Sequence, residues 1–270
     1  AGVHPFVVTA WGSDVLLAPG ESWLLRRFAS YAVRKADAVT TVADHMNAAV
    51  LELGADPACV TAMPFGVDAD RFALGEPPPP GGRPWRLICT RNFDPVYDVS
   101  TFLRAVARVA RDGYTMQVDL VGKGPLRPAL EQEAGRLGIA GFCTFHGHVD
   151  PVQLARMLGD ADVFVTPSLS DGNNVSLNEA MSCGTFPIAT RIPANIQWIE
   201  DGGNGLLYAP GDDASLAACL VQALRDDEMR ARARLVNRTI VLERASWEGC
   251  CRRMDELYDA VIERRAGRRR

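Results

Sequence analysis

The sequence has little of what marks several classes of protein. Its 270 residues hold four histidines and seven cysteines, and no set of them falls at metal-ligand spacing. The cysteines are odd in number and lie mostly in apolar, strand-like runs. That argues against a disulfide framework and for reduced thiols in a cytoplasmic core. No apolar run approaches the length of a bilayer span, and no signal-peptide pattern is visible. A net charge of -4 leaves no electrostatic case for nucleic acid as the main partner. The one basic cluster is RRAGRRR at 264–270. A solvated chain end is one reading of it, and peripheral attraction to the inner, anionic membrane face is the other. There is no internal repeat. Missing too is a starting Met: AGVHPFVVTA enters at once into an apolar run, so the expectation is that an upstream part of a domain precedes it.

What is present is the balance of an ordinary globular protein, 47% apolar and 23% charged. Short β-branched runs at 6–10, 38–42, 60–63, 87–90, 116–121, 143–145, 163–166, 186–189 and 205–208 predict strands. Helical periodicity falls between them, at about 21–36, 44–54, 99–112, 126–137, 151–159, 174–183, 213–225 and 228–243. Such alternation, with Gly- and Pro-marked joints, predicts an α/β fold with parallel sheets covered by helices. GEPPPPGGRP at 75–84 can make neither helix nor central strand and reads as a linker. It divides a segment at 1–74, too short for a complete doubly wound domain, from a domain at 85–245. In the remainder, 246–270, Trp247, Cys251, Met254, Tyr258 and Val261 form an apolar stripe, so the last helix is expected to pack on that face.

In open parallel sheets ligands sit outside the carboxyl ends of the strands. The loops that meet there in the second domain are RNFDPVYD after the 87–90 strand, GKGP at 122–125, HGHVD at 146–150 and SDGNNVS at 170–176. They bring Arg91, Lys123, several glycines and two acids. The helix opening near Asn174 offers unpaired N–H groups to a phosphate oxygen, and Arg91 can hold the same group by charge-assisted bonds. Glu179 lies more than a turn into that helix, too far along to be its cap, and suits a ribose diol. Together these read as a nucleoside-diphosphate site. Each part has a plainer alternative. GKGP can be a structural turn, Asp171 a helix cap and Glu179 a surface acid. His146 and His148 can be a metal pair without a third ligand or simply packed and solvated.

On these motifs the sequence resembles the retaining glycosyltransferases of the GT-B fold, specifically the family 4 group. The strongest part is TPSLSDGNNVSLNEAMSCGTFPIAT at 166–190, with its acid, seven residues and Glu, then a small residue and Gly-x-Pro. LVGKGPL, FHGHV, ADVFV, NGLLYAPGD and MPFGVD support it. The resemblance implies two Rossmann-like domains with parallel sheets, the first incomplete here, and a final helix crossing back to it. Arg91, Asp171 and Glu179 would be the catalytic set. Arg91 would neutralise the departing diphosphate, Asp171 hold the hydroxyls of the transferred sugar and Glu179 those of the ribose. Gly172, Asn173, Asn174, Val175 and Ser176 would meet sugar and diphosphate, Val149 and Asp150 the edge of the base, and Lys123 the phosphates. The implied reaction keeps the anomeric configuration, uses a nucleotide sugar as donor and a hydroxyl acceptor, and needs neither metal nor cofactor.

Three positions depart from the family's usual pattern. Asp171 stands where Glu is common, Val96-Tyr97 where a second phosphate-binding Lys is common, and Trp11 where His is common. Trp11 can be plain core or can stack on a sugar ring on the acceptor side, with Asp14 as a further acceptor-side residue. The implied activity is transfer of a sugar to a glycan, lipid or small metabolite. A non-catalytic nucleotide-sugar-binding module of the same fold is the alternative, and an epimerase or phosphorylase a third.

Overall fold

The computed structural model of the protein describes residues 4–77 and 83–267. The middle of the proline-rich stretch and the last three arginines lie outside the described residues. The chain gathers into two compact units, one of Ala1–Gly66, Asp171–Asn174 and Arg244–Arg270, the other of Val67–Ser170 and Val175–Glu243.

In the first unit, β1 (Val7–Ala10), β2 (Ala38–Thr41) and β3 (Val60–Ala62) form a parallel sheet in the order β1-β2-β3. Val7 pairs with Ala38 and Val39 with Val60. Short helices α1 (Ser13–Leu16) and α2 (Ala18–Glu21) lead into α3 (Trp23–Lys35), and α4 (His45–Glu52) links β2 to β3. Val39, Met46 and Val50 are fully buried at the centre of this core. On α3, by contrast, only Val33 is buried, while Trp23, Phe28 and Tyr31 stay exposed. The last helix of the chain, Trp247–Gly267, belongs to this unit. Its packed face overlaps the stripe expected from the sequence without coinciding with it. Val261 is buried and Cys251 and Met254 are half-buried as expected, Cys250 and Leu257 join them, and Trp247 and Tyr258 are exposed. Gly66, whose added Cβ would meet the Trp247 backbone, is pressed on the main chain at Trp247 and leaves that indole outward.

The second unit is a six-stranded parallel sheet in the order β6-β5-β4-β7-β8-β9. Its strands are β4 (Trp85–Cys89), β5 (Met116–Val121), β6 (Cys143–Gly147), β7 (Val163–Thr166), β8 (Phe186–Thr190) and β9 (Leu206–Tyr208). The joining helices are α5 (Val99–Arg111), α6 (Arg127–Arg136), α7 (Pro151–Asp160), α8 (Val175–Cys183), α9 (Pro193–Ile196), α10 (Asp213–Arg225) and α11 (Asp227–Arg244), and the closing helix is α12. Central strands buried on both faces explain the unbroken apolar runs of β7 and β8, all of whose residues are buried. Leu87, Phe102, Val118, Val163 and Ile188 make the dry centre. The strand order reverses between β4 and β7, and a crevice outside the carboxyl ends of the strands is expected at that switch point.

Residues 67–74 precede the proline-rich stretch yet pack with the second unit. The cause is Arg238 of α11. Its guanidinium donates to the carbonyls of Phe72 (2.7 Å) and Ala69 (2.9 Å) and to Ser182 Oγ (2.6 Å), and Ser182 Oγ in turn donates to Phe72 O (2.6 Å). Replacing Arg238 by Met removes the donors from carbonyls that stay covered. We expect a loss of about 2–3 kcal/mol in urea unfolding, the scale of charge-assisted bonds.

Candidate functional site

β4 stops at Cys89, and two residues later the Arg91 side chain turns into the switch point. It is a buried cation, 8% exposed. Its Nε donates to Ser168 Oγ, just past β7, at 2.9 Å, and its guanidinium carbon lies 4.7 Å from the centre of the Tyr97 ring. Burial lowers the Arg91 pKa, while the charges of Tyr97, Cys89 and Glu179 act to raise it. Glu179, one turn into α8, is half-buried. Burial pushes its carboxyl up to about 7, and the Arg91 charge pulls part of the way back. A carboxyl so placed changes charge near neutrality, beside a cation that does not.

Glu179 borders a cavity of about 310 Å³ within the second unit. Thr90 and Asn92 come from the loop after β4, Gly122 and Lys123 from that after β5, Gly147–Val149 from that after β6, and Ser176 and Glu179 from α8. The segments after β4, β5 and β6 therefore meet with the start of α8, whereas of the expected 170–176 segment only Ser176 lines the cavity. GKGP serves both of its readings. Phe93 N–H donates to Lys123 O (2.8 Å) and Leu126 N–H to Phe93 O (3.1 Å), which ties the turn to the Arg91 loop. Gly124 has φ +157, and a Cβ there would strike the Phe93 backbone, as one on Gly122 would strike the Arg91 carbonyl. So the backbone turn is structural while Lys123 lines the cavity.

Other candidates are placed differently. Val149 lines the cavity, but the Asp150 carboxylate caps α7, accepting from Val152 and Gln153 N–H at 3.0 Å each. Those bonds, the one from Gln153 first, hold its pKa down. His146 and His148 part company. His146 Nε2 lies 2.6 Å from Asp119 Oδ1, whereas His148 lines the cavity. Among the described residues no group of three or more His, Cys, Asp or Glu is placed to hold a metal ion. Among the described residues no helix is long and apolar enough to cross a membrane.

Asp171, Gly172, Asn173 and Asn174 pack in the first unit, against the end of β1. There a Cβ on Gly172 would run into the Trp11 carbonyl oxygen. Asp14 is a turn cap, its carboxylate accepting from the N–H groups of Trp11 (3.1 Å) and Gly12 (2.7 Å). Trp11 is not core. It is 65% exposed and meets Phe65 edge to face at 5.2 Å. Asn173 is buried, and neither polar atom of its side chain has a hydrogen-bond partner among the described residues. Sequence reading missed Arg71, Phe72 and Leu154, which also line the cavity. Nothing in GVDADRF marks Arg71 as a wall of a site in the next unit, since its placement follows from the Arg238 bracket.

Residues 84–226, more than half of the chain, match the family model described as glycosyl transferases group 1. The chain belongs to the glycosyl transferases group 1 family. Among curated relatives, it is 33% identical over 191 residues to D-inositol 3-phosphate glycosyltransferase 2 of Catenulispora acidiphila, covering 63% of this chain and 44% of that one. It is 30% identical over 215 residues to phosphatidyl-myo-inositol mannosyltransferase of Mycolicibacterium smegmatis, covering 77% and 53%. The chain thus spans about half the length of these relatives. Anabaena HepE, solved in complex with UDP and glucose, shares the fold at a TM-score of 0.83 and 18% identity, covering 95% of this chain and 72% of that one. The fold is the GT-B type that the motifs led one to expect, and Gly122 and Gly124 hold its loops together by close backbone contact.

Two outcomes follow for this group 1 chain. Gly124→Ala forces a Cβ onto the Phe93 backbone in a region of φ that L residues avoid, so we expect a drop in Tm of several degrees in calorimetry and a weakened cavity. Glu179, whose folded pKa of about 7 exceeds its ordinary 4.5, holds a proton that the unfolded chain releases between these values. Stability from this group is full below about 4.5 and is lost as pH rises through 7. In urea titrations at pH 5 and pH 8, Glu179→Gln should flatten that part of the pH dependence.

Proposed function

We propose that this chain carries the donor-binding site of a sugar transferase. The enzyme moves a sugar from a nucleoside diphosphate to a hydroxyl of a glycan, lipid or small metabolite, with retention of configuration and without a metal ion or cofactor. The observation that carries this is a buried Arg91 at the switch point of a parallel sheet, its charge acting on Glu179, which lines a cavity together with Thr90 and Asn92 on either side of Arg91. The family and the printed activities of the relatives, which act on inositol phosphate and phosphatidyl-inositol, support it.

In this reading the bond between the anomeric carbon and a phosphate oxygen breaks, and its electron pair leaves on the diphosphate. Arg91, itself buried, and the N-terminus of α8 offset that growing charge, and fixed positive groups act more strongly out of water. This supports a metal-independent reaction. Lys123 adds a mobile cation at the cavity edge. Glu179 as carboxylate accepts from two ribose hydroxyls, and Ser176 anchors the start of α8 by donating to Thr90 O at 3.3 Å. Val149 meets the base along its backbone, and Asp171 with the Gly172–Val175 backbone meets the transferred sugar.

A non-catalytic nucleotide-sugar-binding module is favoured by one observation. Tyr97 lies on Arg91, in the region where a second cation is usual in the family, so the leaving group meets one fixed charge fewer. Isothermal titration with UDP, GDP and ADP tests binding. Arg91→Lys and Glu179→Ala should each weaken the preferred nucleotide about tenfold or more, one charge-assisted bond being about 1.5–3 kcal/mol. His146→Ala should change it far less. Unchanged affinity in both site variants would sink the proposal. Binding of the nucleotide without transfer or hydrolysis of its sugar would favour the non-catalytic module.

A further inference from the structure

The first unit holds a cavity of its own, lined by three arginines that the donor site does not use. We propose that this cavity binds a phosphoryl group, as free phosphate or as a small phosphate monoester. The site goes beyond the sugar transfer proposed above and does not rest on it.

The cavity, of about 160 Å³, lies at the amino ends of β2 and β3. It is therefore at the opposite edge of its sheet from the turns after the strands, where ligands of parallel sheets ordinarily gather. Its cations come from the last turns of two helices, Arg34 from α3 and Arg264 and Arg265 from α12. Its acids are Asp37, just before β2, and Asp56, a few residues before β3.

Which of these charges faces a ligand depends on which are already taken. Asp37 is taken. Its Oδ1 accepts from Arg265 Nε at 2.6 Å, while its Oδ2 accepts from Phe6 N–H at 2.9 Å and lies 2.7 Å from His4 Nδ1. Burial pushes the Asp37 carboxyl up, but bonds from His4, Phe6 and Arg265 outweigh that and hold it at about 2. At neutral pH Arg265 and Asp37 thus offset one another. The Asp56 carboxylate caps the turn before β3, accepting from Ala58 N–H at 3.0 Å. Arg34 and Arg264 are the cations left over. Among the described residues neither pairs with a carboxylate. Each gives away only its Nε–H, Arg34 to Leu53 O and Arg264 to Ala260 O, both at 3.2 Å. No described residue accepts from their terminal NH₂ groups.

An arginine in the last turn of a helix has a plain structural use, since it faces the negative end of the helix dipole. Arg264, bonded to its own helix, fits that use. Arg34 does more, because it reaches away from α3 to the residue that follows α4. There it is seated on Gly54, which has φ +98, and a Cβ on Gly54 would stand 2.3 Å from Arg34 Nε. A guanidinium fixed in advance loses less freedom when a ligand arrives.

The arrangement also selects the ligand. A carboxylate has two oxygens in one plane and is satisfied by a single guanidinium fork. A phosphoryl group presents three oxygens at tetrahedral directions and accepts from guanidiniums on separate elements at once. Its near-double negative charge suits two free cations set against the one acid, Asp56. At about half the 310 Å³ of the donor cavity, the space suits a phosphate with a few carbons rather than a nucleotide.

The test is an NMR titration of the full chain that reads the arginine Nε–H signals of Arg34, Arg264 and Arg265. Inorganic phosphate and glycerol 3-phosphate are the probes, and acetate at matched ionic strength is the control. Saturable shifts at Arg34 and Arg264 are expected from at least one probe, with acetate at least tenfold weaker. Tighter binding of glycerol 3-phosphate assigns the ester, and equal or tighter binding of phosphate assigns the free ion. Arg34→Gln and Arg264→Gln should each weaken the better probe about tenfold, or about 1.4 kcal/mol. Arg34→Lys, which keeps the charge and loses the fork, should recover only part of the affinity. Both side chains stand at the surface, so these variants should keep the wild-type Tm and the affinity for UDP, GDP or ADP. Arg91→Lys should leave the Arg34 and Arg264 shifts as they are. The proposal is overturned if neither probe shifts these signals saturably, if acetate equals the probes, or if the two Gln variants bind as the wild type does. Loss of the shifts in Arg91→Lys would place the ion in the donor cavity and overturn it as well.

Discussion

The burial of one cation at the end of β4 is the constraint from which the site is built. A guanidinium out of water needs fixed partners, and Arg91 finds the Ser168 hydroxyl, the Tyr97 ring and the field of Glu179. Those partners come from three segments that meet only because β7 lies beside β4 in the sheet. Tight turns then follow as a requirement. The loop after β5 must lie flat on the loop that carries Arg91, and Gly122 and Gly124 are the residues that allow the backbones so close. Local sequence, sheet order and electrostatics thus act on the same few atoms.

Much of this was legible in the sequence, for a physical reason. In a sheet covered on both faces, strands are short apolar runs between polar joints, so every strand of the structure stands within two residues of an expected run. The long helices were equally plain from their periodicity. The four-residue helices α1, α2 and α9 were not, since a single turn carries no period. On α12 the periodicity marked Cys251, Met254 and Val261 correctly, and only tertiary contact adds Cys250 and Leu257 and leaves Trp247 and Tyr258 outside. The loops that bear Arg91, Lys123, Val149 and Glu179 could be gathered on one wall because parallel topology sends the carboxyl ends of all strands to one edge.

What sequence could not supply was the division of labour among similar groups. Asp150 and Asp14 are acids beside glycines or at helix starts, just as a ligand-binding acid would be, yet each is occupied by two backbone N–H groups. His146 and His148 look alike at two-residue spacing, but the register shift beside Val121 sets His146 against Asp119, and His148, past the end of β6, lines the cavity. Arg71 joins the wall from a segment far away in sequence because Arg238 holds the chain there. Such assignments depend on which hydrogen bonds close, and a string of residues does not display them.

The proximity of Glu179's ionisation to neutrality sets two demands in opposition at one address. With its proton on, the carboxyl ceases to offset the Arg91 charge, and the site favours anions. With the proton off, the pair is close to electrically neutral, and the carboxylate is the better acceptor for hydroxyls. An occupant bearing both phosphates and a diol is gripped at one end more firmly in acid and at the other in base. On the proposed donor reading, the site is balanced for a ligand that is anionic and hydroxylic at once, and poorly matched to one that is only either.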